Sequence, residues 1–388
     1  MSDYKDIPSP CYVLEEDKLI RNLETLAATA DAAGVEIIPA LKGFALWGVF
    51  PLVGRYVKGA AASSLNEAKL IAEEMGKKAH TYAPVFREEE IDSILDCSSH
   101  ITFNSAAQVR RFLPRLKARR QGREISWGLR INPGYSPVET ALYNPASPES
   151  RLGASPEELE DLLRDALPEG LHLHALCESE ARHTVRLIEA VEESFGEILP
   201  RLRWLNLGGG HLITRAGYDR ELLIRSLAEF RERYPNLRVY LEPGSAFAWE
   251  TGFLRARVED LVRRGDVETA ILDVSFTAHM PDCLEMPYQP QIRGLAIAES
   301  AGSGTAADYR YRMGGNSCLA GDVMGDWLSP KALSVGDPII FEDMIHYTMV
   351  KTTMFNGVHH PSIGILASDG TLRIVREFGY ADYRDRLS

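Results

Sequence analysis

The stretch Val35-Glu36-Ile37-Ile38-Pro39-Ala40-Leu41-Lys42-Gly43-Phe44 is an apolar run of strand character that stops on a lysine, followed at once by glycine and an aromatic ring. Ahead of it, Asp17-Lys18-Leu19-Ile20-Arg21-Asn22-Leu23-Glu24-Thr25-Leu26 places its apolar residues at helical spacing. The same pairing recurs outward along the chain. Strand-like runs are His80-Thr81-Tyr82-Ala83, Ile101-Thr102-Phe103, Ser126 to Ile131, Leu171 to Ala175, Trp204 to Leu207 and Arg238 to Glu242. Between them Leu65 to Ala72, Ala106 to Leu113 and Pro156 to Ala166 read as helices, the last opened by a proline suited to a first turn. Strand–helix units repeated at this length predict an α/β fold built on a (β/α)8 TIM-type barrel, whose sites lie at strand C-termini.

After about residue 252 the pattern changes to strands separated by turns. Arg255-Ala256-Arg257-Val258, Thr269 to Val274, Ile292 to Ile297, Tyr309 to Met313 and Pro338 to Phe341 are the runs. A hairpin is expected around Asp369-Gly370, between Gly364 to Ala367 and Leu372 to Val375. These predict a C-terminal, mainly antiparallel β domain. The opening strand Pro10 to Leu14 is expected to join it. The expected division is 18–251 for the barrel, and 1–17 with 252–388 for the β domain.

At 388 residues the chain exceeds one hydrophobic core, which agrees with two domains. A hydrophobic share of 45% and a charged share of 25% are those of a soluble globular protein. The net charge is −12, and the longest basic tract is Arg119-Arg120 flanked by Lys117 and Arg123. This argues against nucleic acid and anionic membranes, and suits a cationic substrate. The five cysteines are scattered without CxxC spacing, which predicts neither disulfides nor a zinc knuckle. The polar start lacks a signal peptide's apolar core, and no run is long enough for a membrane span, so a cytoplasmic protein is expected.

The strand ends carry the candidate chemistry. A lysine at a buried strand end gains a depressed pKa and becomes a nucleophilic amine, unless it snorkels its head into water. Arg130 closes a later strand. His172 and His174 alternate on one strand and so share a face, just before Cys177-Glu178-Ser179-Glu180. Gly208-Gly209-Gly210-His211 offers backbone N–H groups to an anion, or is simply a turn. Glu242-Pro243-Gly244-Ser245 ends the last barrel strand with a carboxylate suited to a protonated ring nitrogen. In the β domain stand the loops Gly314 to Asp322 around Cys318 and Ala278 to Tyr288 around His279 and Asp282. Tyr347 precedes Phe355-Asn356-Gly357. His279 lacks a second ligand at zinc-like spacing, so no metal is expected.

In this order the features resemble the fold-type III, alanine-racemase-like decarboxylases that use pyridoxal phosphate, over almost the whole chain. The subgroup most resembled is carboxynorspermidine/carboxyspermidine decarboxylase. The resemblance rests on Ala40-Leu41-Lys42-Gly43-Phe44-Ala45, His174-Ala175-Leu176-Cys177-Glu178, His279-Met280-Pro281-Asp282 through Met286-Pro287-Tyr288, and Asn316-Ser317-Cys318-Leu319-Ala320-Gly321-Asp322. It implies that Lys42 holds pyridoxal 5'-phosphate covalently and that His174 stacks on its ring. Glu242 would pair with the ring nitrogen, and Gly208, Gly209, Gly210, Gly244 and Tyr347 would hold the phosphate. Arg130 and Ser245 are placed with the cofactor as well. The partner subunit's Cys318 would protonate the α-carbon, which implies a homodimer whose β domain completes the other copy's site. Asp282, Asp273, His279, Glu178 and Asp322 are the expected substrate contacts.

The implied activity is decarboxylation of carboxynorspermidine or carboxyspermidine to norspermidine or spermidine in polyamine biosynthesis. The alternatives are a diaminopimelate or ornithine decarboxylase, or a non-catalytic homologue that binds the cofactor or a partner protein. Diaminopimelate enzymes of this type carry glutamate after the cysteine and ornithine enzymes aspartate, whereas Leu319 stands here. Both commonly have arginine where Ser245 stands, and the carboxynorspermidine subgroup is expected to have glutamate there. A racemase would set an arginine on the ring nitrogen, and Glu242 speaks against that.

Overall fold

The computed structural model describes residues 7–119, 124–138, 144–299 and 309–388. The polar opening of the chain, and Arg120 and Arg123 of the basic tract, lie outside the described residues. Two compact units are present, Asn22–Phe247 and Met1–Arg21 with Ala248–Ser388.

In chain order the strands are β1 (Cys11–Glu15), β2 (Glu36–Ile37), β3 (Gly59–Ala62), β4 (Lys78–Tyr82), β5 (Ser98–Phe103), β6 (Ser126–Arg130), β7 (Gly170–His172), β8 (Trp204–Asn206) and β9 (Arg238–Leu241). They continue with β10 (Gly252–Arg264), β11 (Val267–Leu272), β12 (Ala296–Ile297), β13 (Tyr309–Gly314), β14 (Val323–Ser329), β15 (Pro338–Glu342), β16 (Ser362–Leu366) and β17 (Leu372–Arg376).

The unit Asn22–Phe247 is built on eight parallel strands in the order β2-β9-β8-β7-β6-β5-β4-β3. The segment that opened the sequence reading closes the ring. β2 pairs with β9 through Glu36 and Ile37, and Ile38 N–H donates to Leu241 O at 2.9 Å. The chain then turns to the other neighbour. Ala61 N–H donates to Pro39 O at 2.8 Å and Leu41 N–H to Ala61 O at 3.1 Å, around the parallel bridge Ala40–Ala61. One stretch is therefore shared between two strands. The regular strand is two residues rather than the seven expected, and Pro39, which lacks an N–H, sits at the switch.

The helices follow from capping and periodicity. Ser64 accepts from Glu67 N–H to start Leu65–Leu70, and Ser155 with Glu158 forms a capping box ahead of Pro156. Ala181–Phe195 and Arg220–Arg233, which the sequence reading did not identify, are amphipathic helices that bury Leu187, Val191 and Phe195, and Leu223, Leu227 and Phe230. β3 was also unread, because Gly59-Ala60-Ala61-Ala62 has neither β-branched residues nor alternation.

The second unit is a mixed, mostly antiparallel sheet in the order β12-β14-β13-β11-β10-β1-β16-β17, with β15 added to β10. β1 joins it, antiparallel to β10 and parallel to β16. The hairpin around Asp369-Gly370 is present as β16 and β17. The expected run Ile292 to Ile297 is a single bridge at Ile292, a turn, and the two-residue β12. β14, separated from β13 by the Cys318 loop, went unread.

Inside the barrel, Trp204 lies where Gly128 and Gly170 leave room. A Cβ on Gly170 would meet the indole at 1.9 Å, and one on Gly128 at 2.4 Å. The indole N–H donates to Ser126 Oγ at 2.8 Å, and the ring packs edge-on to His100 and Tyr240. Gly170→Ala is therefore expected to destabilise the protein by about 1–3 kcal/mol through overpacking. The urea midpoint measures this, and Trp204→Leu in the same chain should restore part of the loss. An unchanged midpoint in Gly170→Ala would refute the packing argument.

Candidate active site

The barrel strands deliver a chain of polar groups to their C-terminal ends, the face where this architecture carries its sites. Lys42 follows the closing stretch in a tight turn. Ala40 O accepts from both Gly43 N–H (2.9 Å) and Phe44 N–H (3.1 Å). The turn is crowded from the β9 side, since a Cβ on Gly244 would lie 3.0 Å from Gly43 Cα. Glycine is thus required at 244 by close approach of two backbones.

Lys42 Nζ stands 3.3 Å from His174 Nε2. Gly209 N–H donates to His174 Nδ1 at 2.9 Å, so Nδ1 is an acceptor and the neutral ring carries its proton on Nε2. An Nε2–H aimed at Lys42 requires a lone pair there, which means a neutral amine. Electrostatics agree. Crowding by protein lowers the Lys42 pKa below the ordinary lysine value, and the Arg130 cation adds to this. Glu242, Cys177 and Glu67 oppose it without reversing it. The side chain itself is exposed, as befits a group that lines a concave mouth: solvent reaches it, yet protein surrounds it. His174 is pushed well below its usual range by burial, then by Lys42 and Arg130, so it too is neutral.

Glu242 is the anion of the set. Burial alone would raise its pKa, but His172 and Asn206, with Lys42, outweigh burial and bring it below the ordinary value. Asn206 Nδ2 donates to Oε1 at 2.5 Å, and His172 Nε2 lies 3.3 Å from Oε2. Burial keeps His172 below its usual pKa despite the carboxylate, so the contact is a neutral N–H donating to an anion. Asn206 Oδ1 accepts from Gly208 N–H at 2.9 Å, which fixes its amide orientation. Arg130 is buried, its guanidinium 4.5 Å above the Tyr82 ring, with one N–H directed to His174 O at 3.4 Å. Tyr82 O–H donates to Asn104 Oδ1 at 2.7 Å. Ser245 is buried at the start of a short helical turn, Ser245–Ala248.

The glycine triplet differs from the expected open nest. The N–H groups of Gly208 and Gly209 are spent on Asn206 and His174. Gly210 O accepts from Ser179 N–H at 2.7 Å. A Cβ on Gly209 would meet Glu242 O at 2.5 Å, so this glycine is needed for close packing between neighbouring strand ends. Glu178 is exposed and has a φ of 44°, a left-handed conformation uncommon for a non-glycine residue.

The remaining candidates lie in the mainly antiparallel unit. Cys318 is exposed on the loop between β13 and β14, and its N–H donates to Asn356 Oδ1 at 2.8 Å. Tyr347 is half-buried at the start of the turn Tyr347–Val350. Asp282 is buried. Its Oδ2 accepts from Thr348 Oγ1 at 2.8 Å and Tyr288 O–H at 3.3 Å, while Oδ1 has no partner in the protein.

Three of the expected substrate contacts hold hydrogen bonds within the protein. His279 has no exposed surface, and its Nδ1 accepts from Ser275 N–H at 3.1 Å; burial takes its pKa down to about 3. Asp322 accepts from the N–H groups of Phe276, Thr277 and Ser317. Asp273 Oδ1 accepts from Arg257 N–H at 2.8 Å, while its Oδ2 has no hydrogen-bond partner in the protein. Conversely, His172 was noted only as a neighbour of His174, and Asn206 and Tyr82 were not singled out. Alternation carried the available signal: Asn206 lies two residues before Gly208, on the inward side of β8.

The pyridoxal-dependent decarboxylase family model with its C-terminal sheet domain matches residues 11–345. The chain is 50% identical to carboxyaminopropylagmatine decarboxylase of Synechocystis sp. over 98% of its own length and 96% of that protein. It is 43% identical to carboxynorspermidine/carboxyspermidine decarboxylase of Campylobacter jejuni, with 98% of each covered. The crystal structure of carboxynorspermidine decarboxylase from C. jejuni, complexed with norspermidine, superposes with a TM-score of 0.90 at 42% identity, covering 98% of this chain and all of that one.

The depressed pKa of Lys42 is directly measurable. In cofactor-free protein, an amine-selective reagent followed by peptide mass spectrometry should show Lys42 half-reacting at lower pH than surface lysines. Arg130→Met removes a repelling cation and should move that midpoint up. Glu242→Gln removes a stabilising anion and should move it down. A Lys42 midpoint equal to that of surface lysines would refute the neutral pair.

Proposed function

The chain belongs to the pyridoxal-dependent decarboxylases, and from that premise we propose that it decarboxylates carboxynorspermidine and carboxyspermidine to norspermidine and spermidine. The observation that carries the reading is the Lys42 amine 3.3 Å from His174 Nε2, together with the Glu242 carboxylate bonded to His172 and Asn206. These residues fit pyridoxal phosphate. Lys42 offers a lone pair for a Schiff base, His174 an imidazole at the same spot, and Glu242 a partner for a protonated ring nitrogen. When bound, the cofactor supplies an aldehyde that links to the substrate's α-amine and a ring that takes up the electron pair left by CO2.

The protein's share is to orient and to move protons. Lys42 would hold the cofactor through its amine, which the substrate amine would displace. His174 is fixed by Gly209 N–H, so its ring can cover one face without rotating. Glu242 keeps the ring nitrogen protonated, and His172 and Asn206 hold Glu242 in line. Gly244, Ser245 and Gly210 are assigned to the phosphate end. Once the bond to the carboxylate breaks, the Cys318 S–H gives its proton to the α-carbon. The thiolate then regains a proton from solvent before the next turnover. We assign this thiol to the partner subunit's site, which makes the enzyme a homodimer, and we place it in the cytoplasm. Among the described residues no helix is long and apolar enough to cross a membrane.

Asp282 is assigned to a distal ammonium of the substrate, because a buried carboxylate oxygen without a protein partner calls for a donor. The 50% identity to an enzyme named for carboxyaminopropylagmatine supports a second reading, in which the distal group is a guanidinium. CO2 release from carboxynorspermidine, carboxyspermidine and carboxyaminopropylagmatine, at matched concentrations, decides between them. Turnover of diaminopimelate or ornithine with none of these three would overturn both. Asp282→Asn should lower kcat/KM for the preferred substrate by about 10–100-fold, the worth of one charged hydrogen bond. Lys42→Ala should abolish the Schiff-base absorbance of the bound cofactor.

A further inference from the structure

The loop Gly315–Asp322, which joins β13 to β14, is tied at three points. At its neck Gly315 N–H donates to Asp322 O at 2.8 Å, and Asn316 N–H to Val274 O at 2.9 Å. The Asp322 side chain then folds back across the neck. Its Oδ1 accepts from Phe276 N–H (2.7 Å) and Thr277 N–H (3.2 Å), and its Oδ2 from Ser317 N–H (3.1 Å). Only glycine permits this at 315, since a Cβ there would meet Asp322 Oδ2 at 2.3 Å. At the tip, Cys318 N–H donates to Asn356 Oδ1, and Asn356 holds a φ of 57°, a left-handed conformation that asparagine tolerates better than most residues. The result is a loop whose tip, Cys318 to Gly321, is exposed while Asp322 at its base is only 3% exposed.

We propose that Asp322 and Asn356 are positioning residues, which hold the Cys318 loop by its backbone so that the thiol is presented at one place. This rests on the reading of Cys318 as proton donor. A carboxylate that accepts three backbone N–H groups and is only 3% exposed is committed to the loop before any substrate arrives. The same three bonds join residues 276, 277 and 317 through one side chain, so loosening them frees the segment that carries the acid. A proton donor must come within hydrogen-bond reach of its target atom, and a misplacement of about 1 Å can cost about 100-fold in rate.

The test uses Asp322→Asn in the holoenzyme, which keeps size but sets an NH2 group against backbone N–H donors. kcat is expected to fall about 10–100-fold with KM within about twofold, because substrate is not touched. Amide hydrogen exchange should quicken in 315–320 and 276–277 while the barrel strands keep their protection, which a general loss of stability would not do. Asn356→Gly tolerates the left-handed backbone but removes the acceptor of Cys318 N–H. It should lower kcat about 3–10-fold with faster exchange at 317–319. If Asp322→Asn does not fold, Asn356→Gly decides alone, and unchanged kcat and exchange in it overturn the proposal. A raised KM at normal kcat in Asp322→Asn also overturns it, since that marks a substrate contact. Full activity in Cys318→Ala instead removes the reading of Cys318 on which the proposal rests, and is distinguishable from both.

Discussion

The barrel depends on one shared segment. Glu36 to Leu41 bonds first to β9 and then to β3, and without that double use eight parallel strands would form an open sheet with two bare edges. Closure also has a chemical consequence. The residue that leaves the seam is Lys42, and the strand on one side of the seam ends in Glu242. Nucleophilic amine and buried carboxylate are therefore brought together by the same hydrogen bonds that complete the fold. The close approach of Gly43 and Gly244 shows how little slack the seam permits.

Around that seam, charge is distributed unevenly for a reason. Arg130 and burial drive Lys42 and His174 towards their neutral forms, while two neutral donors keep Glu242 an anion. A lysine protonated at rest would have to lose its proton before each attack. A neutral Glu242 would leave a ring nitrogen without its counter-charge. Lowered pKa values thus favour the deprotonated form in all three groups, leaving lone pairs on the bases and the charge on the carboxylate. The histidines contribute as neutral rings, with Gly209 N–H setting the tautomer of one and Glu242 accepting a hydrogen bond from the other.

Much of this was legible in the sequence, and what was not has physical causes. The barrel strands that end on Arg130, Asn206 and Glu242 are apolar and announce themselves. β3 is four small residues, so neither propensity nor alternation marks it. The two-residue β2 hides because its continuation pairs irregularly around Pro39. At the site, Lys42, His174 and Glu242 could be singled out because their residue types are unusual at strand ends. The partners His172 and Asn206 could not, since their roles depend on register between strands far apart in sequence. His279 and Asp322 are opaque for the converse reason. Residue type suggests a polar surface, and only tertiary structure shows that Asp322 accepts three backbone N–H groups and that buried His279 accepts Ser275 N–H at Nδ1.

The contrast between Asp282 and Asp322 shows what distinguishes a recognition group from a scaffold group. Both are buried aspartates in irregular loops of the same unit. Asp322 accepts three backbone donors that cannot leave, so its negative charge is committed to holding a loop. Asp282 accepts two hydroxyl groups, which can rotate away, and keeps one oxygen without a partner. A buried acceptor left open costs stability unless something fills it. The same desolvation makes a cation bound there worth more than one on the surface. That open oxygen is what the assignment of Asp282 to a cationic substrate group rests on.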